Sequence, residues 1–432
     1  MTLTLRPHHD IDAERAEALI REARRLQRRR WRRWAALVTL VLVVTAVVVT
    51  TIPGGGGPAQ QHPVARVPGP PAQRRVNGPS LGLATSYQLT GPMGVAVDRG
   101  GDIYFTDGNR VYEVDRATGQ LEVVAGTGAT GFSGDGGPGP LATLSGPSAV
   151  AVAPNGDVYF EDGNRVRKVS AATGVISTVA GDGRVGSSGN GGPAVRASLD
   201  FGGGSTAVGG LSDSIAVGPE GDLYLAEPAN NEVQRVSLAT GIITTVAGPG
   251  IHCAPLDGIC QTATHPCAPV GVHVDSASNV FVTTGCGSVT ERVAATGVTS
   301  TIFSTRHDPV LAGTGGVHDP TGLAVGNDKT LFVTDGFGRR LLELDLANGH
   351  AVLVAGTGVE TFPEPGQTAG DGGLASNATF GLALGAAADG QGNVYVADFF
   401  NDAIRMIDGR TGVISTVAGL IPTSPEQQGH CC

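Results

Sequence analysis

The chain has 432 residues, which is enough for one large domain with accessory segments or for two or three ordinary domains. Its 67 glycines and 26 prolines, with 41% hydrophobic residues, favour a packed core built from short strands and many turns. The net charge of −10 is unevenly distributed along the chain, because residues 1–34 hold ten Arg against five acidic residues and the remaining residues carry about −15. This acidic body excludes nucleic-acid binding by phosphate neutralisation.

The first elements in chain order predict a membrane anchor. Residues 35–52 contain no charge and reach the lower length limit of a membrane-spanning helix, and residues 1–34 form a basic, helical segment that stays in the cytoplasm. Residues 53–79 form a Pro/Gly-rich linker. We therefore expect a single-pass type II protein of the cell membrane. A cleaved signal peptide is the alternative, although the charged region is long for one and no small-x-small site follows.

Six repeats follow the linker. Residues 94–126 read GVAVDRGGDIYFTDGNRVYEVDRATGQLEVVAG, and residues 149–181 read AVAVAPNGDVYFEDGNRVRKVSAATGVISTVAG. The same frame returns four more times, and each unit carries four short apolar runs separated by turns. One aromatic residue marks each unit: Tyr104, Tyr159, Tyr224, Phe281, Phe332 and Tyr395. Four antiparallel strands repeated six times predict an all-β, six-bladed β-propeller.

The motifs VAGTGATGFSGDGGP and GPSAVAVAPNGDVYFEDGNRVRKV make the chain resemble the NHL repeats of bacterial extracytoplasmic proteins. The resemblance covers residues 80–421, which we take as the propeller domain, and leaves 422–432 as a C-terminal tail. It is weakest in the fourth unit, where Thr284 replaces the acidic residue that ends the second strand elsewhere. The resemblance implies an interaction scaffold more often than an enzyme, although some six-bladed relatives are lyases or lactonases with a metal in the channel.

Strand order places the short, uniform first and third turns of every blade on one face. The second turns and the links between blades lie on the opposite face, and the long links there are 127–145, 182–209, 249–268, 305–319 and 357–381. Variable loops on a rigid frame usually carry function, so we expect binding on this second face.

Three of the links are rich in glycine and place Asp135, Asn190 and Asp371 at equivalent positions. No link has the GK[ST] ending of a phosphate-binding loop, which argues against a nucleotide site. Two interpretations remain open: these residues bind calcium, although one carboxylate per loop is few for that ion, or they stabilise a turn between blades. The acidic residues that end the second strands are expected to bond their own turns.

One histidine interrupts a regular pattern. The residue eight positions before each marker aromatic is alanine in five units and His273 in the fourth. His273 is therefore the candidate for catalysis or metal binding near the channel, and the alternative is a buried or channel-lining histidine that binds no ligand. Four further histidines flank this unit, and three such side chains could together bind a zinc ion. However, the sequence has no HxH or HxxxH spacing. The four histidines are His252, His265, His307 and His318.

Disulfide bonds are permitted outside the cytoplasm. Cys267 precedes the first strand of the fourth unit and Cys286 follows its second strand, so adjacent antiparallel strands predict a Cys267–Cys286 bond. Cys253 and Cys260 would then close a local loop. A zinc cluster is the alternative for these four residues, although no CxxC occurs, and the pairing of Cys431 and Cys432 stays open.

The sequence thus favours a membrane-anchored, extracytoplasmic, non-catalytic scaffold that binds a protein or glycan at the cell surface. The alternatives are a metal-dependent lyase or hydrolase with a site at the channel mouth near His273, and a structural component of the envelope. No cofactor is expected apart from the calcium discussed above.

Overall fold

A computed structural model describes residues 78–202, 214–247, 268–285, 287–304, 320–327, 329–359 and 370–420. All of them belong to one compact unit of the chain. The predicted span at 35–52, its basic flank and the tail 422–432 lie outside these residues. Within the described part of the chain, no helix combines the length and hydropathy that a membrane crossing requires.

The strands form six antiparallel sheets, one for each sequence repeat, and each sheet is a blade in which the strands follow chain order. Strand β1 (Ser80–Leu83) is an addition to the first blade. Blade 1 contains β2 (Pro92–Val97), β3 (Ile103–Asp107), β4 (Arg110–Val114) and β5 (Gln120–Ala125). Blade 2 contains β6 (Val150–Val152), β7 (Val158–Glu161), β8 (Val166–Val169) and β9 (Ile176–Ala180). Blade 3 contains β10 (Ile215–Val217), β11 (Leu223–Glu227), β12 (Glu232–Ser237) and β13 (Ile242–Ala247).

The other three blades repeat the arrangement. Blade 4 contains β14 (Pro269–Val274), β15 (Val280–Thr284), β16 (Ser288–Arg292) and β17 (Thr299–Ser304). Blade 5 contains β18 (Pro320–Asn327), β19 (Thr330–Asp335), β20 (Arg340–Asp345) and β21 (Ala351–Ala355). Blade 6 contains β22 (Ala383–Ala388), β23 (Val394–Asp398), β24 (Ala403–Ile407) and β25 (Ile414–Ala418). The first strand of each blade contacts the first strand of the next, and β22 contacts β2, so the six-bladed propeller expected from the sequence is confirmed.

The register of the two inner strands explains the repeated alanine. Ala96 pairs with Tyr104, and Ala151 pairs with Tyr159, so each small residue of the inner strand lies opposite the marker aromatic of its own blade. The same pairing recurs in the other blades. Glycine is required at the third turns, because all six turn glycines adopt φ between 68° and 72°: Gly119, Gly174, Gly241, Gly297, Gly349 and Gly412.

The glycine-rich links do more than turn a corner. The first link runs along the outer edge of blade 2, where Gly136 N donates to Ile176 O at 2.8 Å and Ile176 N donates to Gly137 O at 2.9 Å. The equivalent bonds join the links to Ile243 in blade 3 and Ile414 in blade 6. In blade 1, β1 covers the same edge by pairing with β5. The outer edges of these four blades are therefore paired within the chain, which prevents edge-to-edge association.

Each of these edge segments continues into a short 3-10 helix before it enters the blade whose edge it covers: Ala84–Ser86, Gly139–Leu141, Ala194–Arg196 and Ala375–Asn377. The end of the preceding blade bonds to this helix, as in Gly126 N to Gly139 O at 3.1 Å. Gly419, at the end of blade 6, donates to Ala84 O at 3.1 Å. The last blade therefore meets the first through the same hydrogen bond that joins neighbouring blades elsewhere.

Candidate functional site

Asp135 joins the first link to two strands of the following blade. Its Oδ1 accepts a hydrogen bond from Arg167 Nη2 at 2.6 Å, and its Oδ2 accepts from the hydroxyl and the backbone N–H of Thr178, at 2.7 and 3.2 Å. The fully buried Arg167 also contacts the buried Asp162 carboxylate at 3.1 Å. Both oxygens of Asp135 are thus used in holding the link against blade 2.

Blade 6 has the same arrangement. Arg405, fully buried, bonds Asp371 Oδ1 at 2.6 Å and Asp398 Oδ2 at 3.3 Å, while Asp371 Oδ2 accepts from Thr416 N. In blade 3 a neutral version occurs, in which Asn190 Oδ1 accepts from Thr245 N at 2.9 Å. The structure therefore places all three predicted residues in equivalent positions, and each of them fixes a link to the outer strand of the next blade.

The acidic residues at the ends of the second strands hold the chain where it enters the blade. Asp107 accepts from Thr90 N at 2.9 Å, and Asp162 accepts from Ser145 N. In the segments that lead into blades 3 and 6, Asp200 N donates to Glu227 and Gly381 N donates to Asp398 in the same way. Bonds to their own turns, which the sequence predicted, occur as well, for example from Gly338 N to Asp335.

The exposed surface of the first two links is ordered by these contacts. We define the link surface as residues 127–135 and 182–190. Phe132 is 43% exposed, and the guanidinium carbon of Arg165 lies 3.8 Å from the centre of its ring. Arg165 Nη2 also donates to Asp182 O at 3.0 Å, which connects the two links. Val185 is 68% exposed in the second link. The link surface is thus a fixed arrangement with exposed apolar groups among polar ones.

His273 lies on β14, opposite Phe281 in register, and is half-buried. Burial lowers the pKa of His273 to about 4, a shift that the nearby Asp275 opposes, so the imidazole is neutral at physiological pH. The four other candidate histidines (His252, His265, His307 and His318) lie outside the described residues, as do Cys253, Cys260, Cys267 and Cys286. Within the described ranges, no three His, Cys, Asp or Glu side chains are grouped as metal ligands. The zinc and disulfide predictions stay predictions.

Comparison with known proteins agrees with the repeat pattern. The family model of the Teneurin NHL domain matches residues 116–195 and 338–429. Teneurin-3 of Mus musculus is 41% identical over 95 residues, which are 19% of this chain and 4% of Teneurin-3. Teneurin-3 of Danio rerio is 38% identical over 109 residues, which are 22% of this chain and 4% of that protein. The chain is an NHL-repeat β-propeller.

Two solved structures from Bacteroides thetaiotaomicron share the propeller fold. A protein of unknown function is 19% identical with a TM-score of 0.50, covering 77% of this chain and 72% of that chain. An auxiliary nutrient binding protein is 12% identical with a TM-score of 0.50, covering 78% and 76% of the two chains. At these identities the likeness shows the fold alone. This NHL propeller spans only a small part, 4%, of the Teneurin-3 length, so the activities of that protein are not transferred.

Sequence reasoning missed the two buried arginines of this NHL propeller. Arg167 and Arg405 lie on third strands, 32 and 34 residues after the link carboxylates that they bond. A signal was present, because the repeats with Asp in the link have Arg at this strand position, whereas the repeat with Asn190 has Gln234 there. The link position and the third-strand position thus differ together: both are charged in blades 2 and 6, and both are neutral in blade 3.

Proposed function

We propose that this NHL propeller is a membrane-anchored, extracytoplasmic scaffold that binds a protein or a glycan through the link surface. The observation that carries the proposal is the immobilisation of the links. Asp135 and Arg167 fix the first link to blade 2, and Arg165 connects it to the second link. A surface that is ordered before binding loses little conformational entropy when a partner docks, which favours affinity.

The chemistry of the surface suits such a partner. Phe132 and Val185 expose apolar area, and the exposed Ser, Thr and Arg residues around them supply hydrogen-bond donors and acceptors. Aromatic and apolar anchors surrounded by polar groups are typical of binding sites on protein surfaces. The fold is also used by an auxiliary nutrient binding protein, so it is compatible with a binding role. The uncharged run at 35–52 and its basic flank support the placement outside the cytoplasm.

The proposal is tested by replacing an exposed valine on each face. In the full-length chain, Val185→Asp places a charge on the link surface, whereas Val298→Asp, which is also exposed, lies at a third turn on the opposite face. We expect Val185→Asp to reduce capture of envelope proteins or arrayed glycans at least about tenfold, since an anchor residue contributes more than about 1 kcal/mol. Val298→Asp should retain capture, and both variants should melt at the wild-type temperature.

Equal capture by wild type and Val185→Asp, with both variants folded, would contradict the assignment of binding to the link surface. Phe132→Ala provides a second test at the same surface, because it removes an exposed ring without adding a charge.

A further inference from the structure

At the end of the second strand, blade 3 differs in charge from blades 1 and 5. In blade 1, Asp107 is in register with Arg110, and in blade 5, Asp335 is in register with Arg340. In blade 3, Glu227 is in register with Glu232. Two carboxylates therefore lie directly opposite each other on adjacent strands, an arrangement that destabilises a sheet unless another charge compensates it.

The position that supplies the compensating charge in blades 2 and 6 is also altered. The third-strand residue opposite Phe160 is Arg167, and the one opposite Val396 is Arg405. The residue opposite Leu225 in blade 3 is Gln234, which carries no charge. The guanidinium that neutralises the strand-end carboxylates in blades 2 and 6 thus has no counterpart at this position in blade 3.

The oxygens of this cluster are buried and incompletely bonded. Glu227 is fully buried, Gln234 is 1% exposed and Glu232 is 8% exposed. Glu227 Oε1 and Gln234 Oε1 lack a hydrogen-bond partner within the described part of the chain. Burial raises the pKa of Glu227 to about 7, and the carboxylates of Glu232 and Asp200 contribute in the same direction. An unpaired carboxylate oxygen in such surroundings is costly and calls for a positive charge.

The remaining atoms of the cluster are already engaged. Glu227 Oε2 accepts from Asp200 N at 2.9 Å and from Asn230 Nδ2 at 2.7 Å. Glu232 Oε1 accepts from Gln234 Nε2 at 3.2 Å, which positions the amide beside the acidic pair, and Glu232 Oε2 accepts from Thr245 Oγ1 at 3.0 Å. The unpaired oxygens of Glu227 and Gln234 therefore belong to one cluster, in which Glu232 contacts Gln234 and faces Glu227.

We propose that blade 3 binds a calcium ion through the carboxylates of Glu227 and Glu232 and the amide oxygen of Gln234. The ligands are all oxygens, which excludes a preference for soft metals, and Ca²⁺ accepts carboxylate and amide oxygens in a flexible geometry completed by water. The ion takes the role that the guanidinium has in blades 2 and 6. Two of the three proposed ligands are ionisable carboxylates, and the third is the amide oxygen of Gln234, which does not ionise. It is separate from the link residues Asp135 and Asp371.

Calorimetric titration of Ca²⁺ into the full-length, chelator-treated chain tests the proposal. We expect one site with a dissociation constant of about 10⁻⁴–10⁻³ M, as in extracellular calcium modules, and a higher melting temperature with calcium. Gln234→Arg restores the residue found in blades 2 and 6. This variant should melt at least as high as the metal-free wild type and lose the calcium response. Asp371→Asn, the control in blade 6, should keep that response.

Three results would overturn the proposal. One is the absence of both heat and stabilisation up to about 10 mM Ca²⁺, well above the range of extracellular sites. Another is loss of the calcium response in Asp371→Asn but not in Glu227→Gln, which would show that the ion binds at a link and not in blade 3. The third is an equal shift in melting temperature with K⁺ at matched ionic strength, which would show that ionic screening, and not a calcium site, raises the melting temperature.

Discussion

The Asp135 carboxylate accepts hydrogen bonds from two neighbouring strands at once, and this residue shows how a single side chain fixes a glycine-rich link. Arg167, to which it bonds, is fully buried and contacts the carboxylates of both Asp135 and Asp162. Asp135 itself is 41% exposed, so solvent screens part of the interaction. The contact therefore positions the link more than it stabilises the whole domain.

Two substitutions at Asp135 separate its two contacts. Asp135→Asn keeps an oxygen for Thr178, as Asn190 does for Thr245, but loses the charge beside Arg167. We expect it to lower the free energy of unfolding by about 1 kcal/mol, and we expect Asp135→Ala, which loses both contacts, to lower it by about 2 kcal/mol. Urea unfolding followed by circular dichroism measures both values. Equal losses in the two variants would mean that Thr178 contributes nothing.

At this scale the sequence predicted less than the repeats contained. It identified Asp135, Asn190 and Asp371 as equivalent, because they share a motif. It did not identify Arg167 or Arg405, because the pairing joins a link to the third strand of the following blade. Local patterns of two to four residues carry no information on such contacts, and only the coordinated change to Asn190 and Gln234 in the third unit pointed to them.

Among the elements, the second strands connect neighbouring blades through one repeated position. Thr106 Oγ1 donates to Ser148 O at 3.0 Å in the next blade, and Thr334 Oγ1 donates to Leu384 O at 2.5 Å. In blade 2 this position is Glu161, whose Oε2 accepts from Ser214 Oγ at 2.7 Å in blade 3. A carboxyl group thus lies buried at a contact between blades, at a position where blades 1, 4 and 5 have a threonine and blades 3 and 6 have an alanine.

Glu161 should make stability depend on pH. Burial raises the pKa of Glu161 from 4.5 to about 8, opposed by the bond from Ser214 and reinforced by Asp162 and Glu227. Between these two values the unfolded chain has lost the proton while the folded chain retains it, so stability falls as pH rises and levels off above about 8. Glu161→Gln removes this dependence. We expect the free energy of unfolding of Glu161→Gln to equal that of wild type near pH 4.5 and to exceed it by about 2–4 kcal/mol at pH 8.

Denaturant unfolding at a series of pH values measures the difference. Glu220→Gln is the matched control, since the Glu220 side chain is 76% exposed and its replacement should leave the pH profile unchanged. A constant difference between Glu161→Gln and wild type across the range would show that Glu161 titrates normally in the folded protein.

The elements themselves were largely predictable. Six units, four strands in each, and the register of the inner alanines against the marker aromatics follow from alternating apolar residues and fixed turn glycines. The route of the links along the outer edge of the next blade was not predictable, since it depends on backbone hydrogen bonds such as Gly136 N to Ile176 O. Backbone groups are the same in every residue, and the sequence therefore does not encode their partners directly.

For the whole molecule, the decisive contact is the one that closes the ring. Gly419 and Gly126 occupy equivalent positions, with φ of 105° and 98°. A Cβ on Gly419 would lie 2.4 Å from Asp402 O, and one on Gly126 would lie 2.2 Å from Asn109 O. Both clashes lie within the glycine's own blade, and the contact to the following blade is the bond from the glycine N–H, which is 3.1 Å long from Gly419 to Ala84 O and from Gly126 to Gly139 O.

We expect Gly419→Ala and Gly126→Ala to destabilise the protein equally, by roughly 1–3 kcal/mol each, because both combine a left-handed backbone with a clash against a carbonyl oxygen. Gly390→Ala, where a Cβ would meet no atom within 4 Å, is the neutral control. Differential scanning calorimetry measures the shifts. A near-neutral Gly419→Ala beside a destabilised Gly126→Ala would show that the end of blade 6 does not hold, in solution, the backbone conformation found at the end of blade 1.

The covering of the outer edges has a consequence for the order in which the chain is made. The edge strand of a blade is its last strand, whereas the segment that covers it, such as β1 or the link at Gly136, precedes the blade in the sequence. When β5, β9, β13 or β25 emerges during synthesis, the partner for its free edge has already emerged. These blades can therefore complete their hydrogen bonding in the direction of synthesis, without waiting for a later part of the chain and without offering a bare strand to another molecule.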